Sequence, residues 1–550
     1  MKQWTLVLLL MVFADLSLSQ IITSRISAEN ISTTGFSVKW NNNQVANSFI
    51  RYGFTPALEL GTLQGGNTQS PSIAISGGFA SQVYYAQAVA QVGNIIHQSD
   101  TLPFITASNS SGDIRVYFNQ PVNIAYANST DNQATRLTNS IDDTLIAYIN
   151  RAQHSIDIMV YNLGSAAGIS DISGAINQAF LNGRAIRVVY NEDTGNAGIA
   201  ELHPDIPRLI SPESNFPVYG IMHNKIFVFD AFSSNANRSI VWTGSTNLTT
   251  QQINTDPNNV IIVQDQSLAK AYTMEFEEMW GSNTLTPNTS ISRFGPDKKD
   301  NTPHYFNIGG RRVECYFSPS DGVNSRIIQA ITEAQFDVTV NTMLITRNDI
   351  ITSLIQSHNN GKDVKVIVNH PNEGSMQVQY DNLNATLGYR LMNYSALPQS
   401  GTLHHKLMFA DAFMGTNPYV LTGSHNWSTA AEVRNDENTL VIYDADIVNL
   451  YLQEFMGRLG AVASSDYYSD FSSVSVYPNP TENSINISHA SNAEISVIQM
   501  LDATGALLLE IIPSQQLDTH TLHLSNFASG VYFIKIMSNG VVHMEKIVLR

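Results

Sequence analysis

Cys315 is the only cysteine in 550 residues, which excludes an intrachain disulfide and any cysteine-based zinc cluster. Charge is also scarce: 14% of residues against roughly 25% in soluble domains generally, so Asn, Ser, Thr and Gln must cover the surface. Positive charge is scarcer still. Against 46 Asp and Glu stand 29 Lys and Arg, a net charge of −17, and a chain-wide basic footprint for nucleic acid is absent. No apolar run approaches the ~20 residues that span a bilayer, so no transmembrane segment is expected. What is present is 43% apolar residues, enough for packed cores, over a length that at roughly 150 residues per domain implies three or four of them.

Met1-Lys2-Gln3 gives a short cationic start, Trp4 to Ala14 is apolar, and Ser17-Leu18-Ser19 supplies small residues for a cleavage site. Residues 1–19 therefore read as a secretory signal peptide. An exported chain without disulfides fits a bacterial origin. Residues 20–108 read as all-β: Ile31 to Trp40 alternates around a turn, and Phe49 to Gly53, Ser72 to Ser76 and Gln82 to Val92 continue as short strands. The early-strand Trp40, the Tyr52-Gly53 pair and the Tyr84-Tyr85 strand resemble a fibronectin type III sandwich, which implies a binding or spacing module.

The middle of the chain is duplicated. In its first part Ile141, Leu145, Ile146 and Ile149 recur at helical spacing from Ser140, an expected cap with Asp143 three residues on. A strand at Ser155 to Tyr161, a helix over Gly168 to Asn182 ended by Gly183, and a strand at Ala185 to Tyr190 follow. The second part repeats the order: helix Asn324 to Ala334, strand Asp337 to Ile345, helix Asn348 to Asn359 ended by Gly361, strand Asp363 to Val368. Such alternation predicts an α/β fold with a largely parallel sheet.

Each part then carries one polar constellation. The first is His223, Lys225 and Asp230 followed by Gly244-Ser245-Thr246-Asn247; the second is His404, Lys406 and Asp411 followed by Gly423-Ser424-His425-Asn426. The histidines are 404 − 223 = 181 residues apart. Residues two apart in a strand share a face, so each His-Lys pair projects together.

The doubled His-x-Lys-x4-Asp and Gly-Ser-x-Asn pattern resembles the phospholipase D superfamily. The resemblance implies two pseudo-symmetric α/β halves, residues 112–300 and 301–460, meeting at one cleft where a phosphodiester is cut without a metal or other cofactor. The chemistry suits the residue types. Lys225 and Lys406 supply fixed cations, and Asn247 and Asn426 supply hydrogen bonds to the non-bridging oxygens, with Ser245 and Ser424 expected to help bind substrate. One neutral histidine attacks phosphorus, the other protonates the leaving alcohol, and water then clears the phosphohistidine. The sequence leaves open which histidine attacks; the resemblance favours His223, with His404 as the acid. Family members place an acidic residue after Gly-Ser-x-Asn to hold each ring. Glu437 matches this for His404, while the first half offers only Asp256, one residue off register when Val260–Val263 is aligned with Leu440–Tyr443. Asp230 and Asp411 are expected to be structural, and His405 and His425 to pack in the core or at the rim.

From about 473 a short β module begins, after a linker at 461–472. Tyr477-Pro-Asn-Pro480, the Gly530-Val-Tyr532 strand and the terminal Lys546 to Arg550 strand resemble the type A sorting domain (473–550) of the type IX secretion system of Bacteroidetes. This implies export through that machinery to the medium or cell surface. Together these features imply a secreted phosphodiesterase acting on phospholipid head groups. A phospholipase D-like endonuclease acting on nucleic acid, with Arg208, Arg347 and Lys362 as scattered cleft-edge cations, and a catalytically idle surface adhesin are the alternatives.

Overall fold

The computed structural model describes residues 21–550 apart from 193–195, 216–217, 370–374, 397–400, 413–414, 461–473, 490–494, 503–506, 514–518 and 539–540. The expected signal peptide and the 461–472 linker lie outside the described residues. The chain divides into two compact units after Thr106.

The first unit is a β-sandwich. One sheet pairs Ser27–Ser32, Gly35–Lys39 and Ser72–Ser76; the other orders Gly61–Thr68, Ala46–Gly53, Val83–Val92 and Ile95–Gln98, with Leu102–Ile105 also on Val83–Val92. Alternation drives the inner face: Phe36, Val38, Trp40, Ile50, Ile75, Tyr84 and Phe104 are all buried. The Phe36 ring packs 5.8 Å from Tyr84 and 5.5 Å from Phe104.

In the second unit two eight-stranded sheets share the order of seven strands and differ in the edge strand, which follows its neighbour in the chain in the first sheet and precedes it in the second. The first runs Thr135–Arg136, Ile114–Phe118, Asn259–Val263, Ile240–Gly244, Lys225–Phe229, Ser155–Val160, Ala185–Tyr190, Arg208–Ile210. Its repeat runs Tyr305–Ile308, Arg311–Ser318, Glu437–Tyr443, Tyr419–Gly423, Lys406–Ala410, Asp337–Thr342, Asp363–Val368, Leu391–Asn393. The expected helices form at Ile141–Arg151 and Ile172–Leu181, and at Val323–Glu333 and Asn348–Asn359. Their apolar stripes, Ile141, Leu145 and Ile149 in one half and Val323, Ile327 and Ile331 in the other, join the strand side chains in two separate cores.

Two expectations are corrected. The sheets are mixed, not largely parallel: Ser155–Val160 runs parallel to Ala185–Tyr190 but antiparallel to Lys225–Phe229. The strand Lys225–Phe229 is joined to Ile240–Gly244 by residues 230–239 alone, too short for a crossover, and only antiparallel neighbours can be joined that way. Fully buried strands look alike in either direction, so composition could not reveal this. Ser140 stands at the helix start, yet its hydroxyl caps nothing. Asp142 and Asp143 in the first turn instead accept from the backbone N–H and the hydroxyl of Ser170, tying the two helices together while facing the positive helix end.

The tail forms a small β module of two sheets. Val474–Tyr477, Ser484–His489 and Thr519–His523 make one; Leu507–Ile511, Ile495–Leu501, Gly530–Ser538 and Val541–Leu549 make the other. Ile485, Ile487, Ile498, Met500, Ile534, Ile536 and Ile547 fill its core.

Candidate active site

The two halves deliver their histidines into each other's loops. His223 N–H donates to Asp436 O at 2.9 Å and His404 N–H donates to Pro257 O at 3.0 Å, so the histidine two residues before each lysine strand is seated on the opposite half. Both Gly-Ser turns need their glycine. Gly244 and Gly423 lie at φ 143° and 152°, and a Cβ there would stand 2.3 Å from Asn259 O and 2.2 Å from Asn438 O. These turns carry Ser245, Asn247, Ser424 and Asn426 to the same place, and the two imidazole centroids are 6.5 Å apart.

The ring partners are crossed. His223 Nδ1 lies 2.7 Å from Glu437 Oε2, whereas His404 Nδ1 lies 3.0 Å from both Ser245 O and Asn258 Oδ1. A carbonyl can only accept, so His404 carries its proton on Nδ1 and keeps Nε2 for chemistry. The carboxylate beside His223 fixes the same tautomer there.

The sequence expectation for the acidic partners is therefore corrected twice. Glu437 serves His223, not His404, and Asp256 touches neither ring. The register is set by Gly244 pairing with Val260 and Gly423 with Thr439, an offset of 423 − 244 = 439 − 260 = 179, so the counterpart of Glu437 is residue 437 − 179 = 258, an asparagine. Asp256 instead corresponds to Asn435. Asp256 accepts from Thr402 N–H at 2.8 Å and Asn435 Oδ1 accepts from Ile221 N–H at 3.2 Å, each steadying the backbone two residues before a histidine.

Lys225 and Lys406 are fully enclosed and donate to the carbonyls of His223 and His404 at 2.6 and 2.7 Å. Tyr161 and Met343, which sequence reading passed over, flank them. Lys225 Nζ sits 5.1 Å from the Tyr161 ring centroid, and Lys406 Nζ is 3.9 Å from Met343 Sδ. Both residues directly follow the strands Ser155–Val160 and Asp337–Thr342, and the carboxyl ends of such strands are where α/β sheets place ligands, a signal the sequence did contain. The buried amide oxygens of Asn247 and Asn426 have no partner, which leaves both amides able to turn toward a ligand.

Other expected site residues stand elsewhere. Ser245 and Ser424 are 0% exposed, and their hydroxyls serve their own halves: Ser245 Oγ donates to Asn258 Oδ1, and Ser424 Oγ accepts from Asn438 N–H. They contact the opposite histidine through their carbonyls rather than binding substrate through their hydroxyls. Asp230 and Asp411 sit at the far ends of the lysine strands. Each accepts from three successive backbone amides, 153 to 155 and 335 to 337, a structural clamp away from the cleft. His405 is buried between Asn259 and Glu454. Of the three scattered cations, Arg208 donates to the carbonyls of Ile199 and His203, and Lys362 donates to Thr332 O. Arg347, paired with Asp349, acts electrostatically on His425 next to the site.

Among the described residues the one group whose ligand atoms lie within 4.8 Å of one another is Asp300, His304 and Asp321. Its imidazole already bonds Cys315 O through Nδ1 and Asp300 through Nε2.

Burial and two neighbouring cations set the electrostatics. Enclosure, with Lys225 and Lys406 adding to it, holds both His223 and His404 well below the usual histidine range, so both rings are neutral in the free site. Burial drives Lys406 down to about 7, against the pull of Glu437 and Asp256, and drives Lys225 well below its usual value. The ammonium form exists below the shifted pKa and is lost above it. Hence kcat/KM for an anionic phosphodiester should fall above about pH 7, approaching about tenfold per pH unit. A profile flat to strongly alkaline pH would contradict this.

The family described as "Cardiolipin synthase, PLD-like domain" matches residues 145–280 and 327–459, and "Secretion system C-terminal sorting domain" matches 475–550. A phospholipase D of Rickettsia bellii is 26% identical over 148 residues, 27% of this chain and 69% of that protein. A mitochondrial cardiolipin hydrolase of Xenopus tropicalis is 27% identical over 143 residues, 26% of this chain and 62% of its own. Among solved structures, the phosphatidylserine synthase of Haemophilus influenzae is similar over 62% of this chain and 88% of its own, at 16% identity and a TM-score of 0.43.

Proposed function

The chain belongs to the phospholipase D superfamily, and on that premise we propose that it is a secreted phosphodiesterase that removes phospholipid head groups through a phosphohistidine. The observation that carries the reading is the facing pair of imidazoles, each with Nδ1 engaged and Nε2 left over, flanked by two enclosed lysines.

His223 Nε2 attacks phosphorus as the bond to the head-group oxygen breaks, and His404 gives that oxygen its proton from Nε2. Both rings are neutral before substrate arrives and His404 holds its single proton on Nδ1, so it takes a second proton from solvent onto Nε2 as the phosphodiester enters between Lys225 and Lys406, and the negative charge of the substrate stabilises that imidazolium. In their ammonium form the two enclosed lysines supply the positive charge that the phosphodiester meets. Neutral His404 then takes a proton from water, and the resulting hydroxide displaces His223 from phosphorus. The unequal ring partners support this division of roles: a carboxylate stabilises the positive charge His223 acquires on attack, whereas the neutral Asn258 leaves His404 the readier to give up its proton.

Lipid is favoured over nucleic acid by the relatives, named as phospholipase D and cardiolipin hydrolase, by the net charge of −17, and by the engagement of Arg208 and Lys362 away from the cleft. The tail is a sorting domain of the type IX system, which marks the chain for the medium or the cell surface. A cleavable leader at 1–19 would take it first to the periplasm, and the N-terminal sandwich would serve as a fibronectin type III-like spacer or binding module.

The mature protein should cleave phosphatidylcholine micelles in EDTA, with a shallow dependence on NaCl between about 50 and about 300 mM, because one phosphate is gripped rather than many. Plasmid DNA should stay intact. Inert phosphatidylcholine together with DNA cutting that collapses with salt would replace this reading by a nuclease. Loss of all turnover in EDTA, restored by Mg²⁺, would overturn the metal-independent chemistry.

A further inference from the structure

The two halves differ at two neighbouring places on one side of the cleft. Glu437 of the second half is matched by Asn258, and His425 by residue 425 − 179 = 246, a threonine. The carboxylate and the extra histidine therefore occur together in one half and are both missing from the other.

His425 is 3% exposed. It lies between Ser424, whose carbonyl bonds His223, and Asn426. Its Nδ1 is 3.0 Å from Ser318 Oγ, and Ser318 Oγ donates to Asn435 O at 3.4 Å. With that single hydroxyl proton spent, His425 Nδ1–H is the donor to Ser318. Asn435 Nδ2 donates to Glu437 Oε1 at 3.2 Å, and Glu437 Oε2 meets His223 Nδ1 at 2.7 Å. One connected run of buried polar groups thus leads from His425 to the attacking ring. The first half has nothing like it. Thr246 Oγ donates locally to Asn259 O at 3.0 Å, and Asn119, which holds the place of Ser318, is spent on the carbonyls of Gln252, Ile253 and Asp256.

We propose that His425 is a positioning residue: through Ser318 and Asn435 it fixes the Glu437 carboxylate against His223, and so gives the first-half histidine its strength as the nucleophile. The proposal rests on the phosphodiesterase reading of the site. The charged and titratable groups acting on His425 are Glu437, His223 and Arg347; burial, against the upward pull of Glu437 and with His223 and Arg347 adding to it, brings it down to about 4, so it stays neutral where the enzyme would work. A neutral His425 leaves Glu437 its negative charge. Without the chain of hydrogen bonds the carboxylate moves off His223, whose proton affinity then falls.

The test is His425→Thr, which installs the residue the first half already uses, with His425→Asn as a variant that keeps a donor for Ser318. Supporting contacts of this kind change activity by about 10- to about 100-fold. His425→Thr should lower kcat at least about tenfold with KM within about twofold, slow the pre-steady-state burst of released head group, and move the acid limb of the kcat profile to lower pH. His425→Asn should recover most of the burst rate. Ser318→Ala combined with His425→Thr should be no slower than either alone, because both cut one chain. Wild-type burst and pH profile in a His425→Thr protein that melts normally would overturn the proposal, as would a raised KM with an unchanged burst. Phosphatidylcholine turnover by wild type, abolished in His223→Ala, tests the underlying reading separately.

Discussion

Alanine at His223 should lower turnover by at least about 1,000-fold, and alanine at His404 by a similar factor, while the double variant is little worse than either. The reason is geometric. The rings stand 6.5 Å apart and act on one phosphoryl group from opposite sides, so removing His223 leaves no nucleophile and removing His404 leaves the departing oxygen without a proton. The variants should differ in one respect. An aryl phosphodiester, whose leaving group departs unprotonated, should still form a covalent adduct in His404→Ala but not in His223→Ala. A single variant keeping more than about a tenth of wild-type activity would remove the two-histidine mechanism.

Glu437→Gln should cost about 100- to about 10,000-fold in kcat, by analogy with the effect of making a triad carboxylate neutral. Gln keeps the shape but loses the charge that stabilises imidazolium at His223, and it leaves Lys225 and Lys406 without their enclosed counter-ion. The fold should tolerate the change, because the first half already holds His404 with an amide at the equivalent Asn258. The readout is kcat at several pH values beside the melting temperature. Wild-type kcat in a well-folded Glu437→Gln would show that the carboxylate is a packing group only.

Much of this site is legible in the sequence because the motif occurs twice. One His-x-Lys is an accident of a surface strand; a second at 181 residues, with Gly-Ser-x-Asn after each, is a pattern that both halves must satisfy. The helices were equally legible: apolar residues recur at helical spacing over 141–151, and Gly183 and Gly361, at φ values of 83° and 89°, end the second helix of each half, 172–181 and 348–359. The crossed pairing was not legible. Which half's loop holds which ring is a tertiary fact, and a single-residue slip in aligning Val260 with Leu440 rather than Thr439 hid Asn258 behind Pro257. Strand direction was hidden for a related reason, since Lys225–Phe229 and Lys406–Ala410 are buried on both faces and carry no alternation to read.

The central claim is that phosphorus is carried on His223 during turnover. Quenching the enzyme in alkaline denaturant during phosphatidylcholine cleavage, then locating the added mass by peptide fragmentation, tests it directly. An acid-labile phosphatidyl adduct is expected on the peptide containing His223, accumulating further in His404→Ala with an activated leaving group. An adduct on His404, or turnover with no adduct on either histidine, would contradict it.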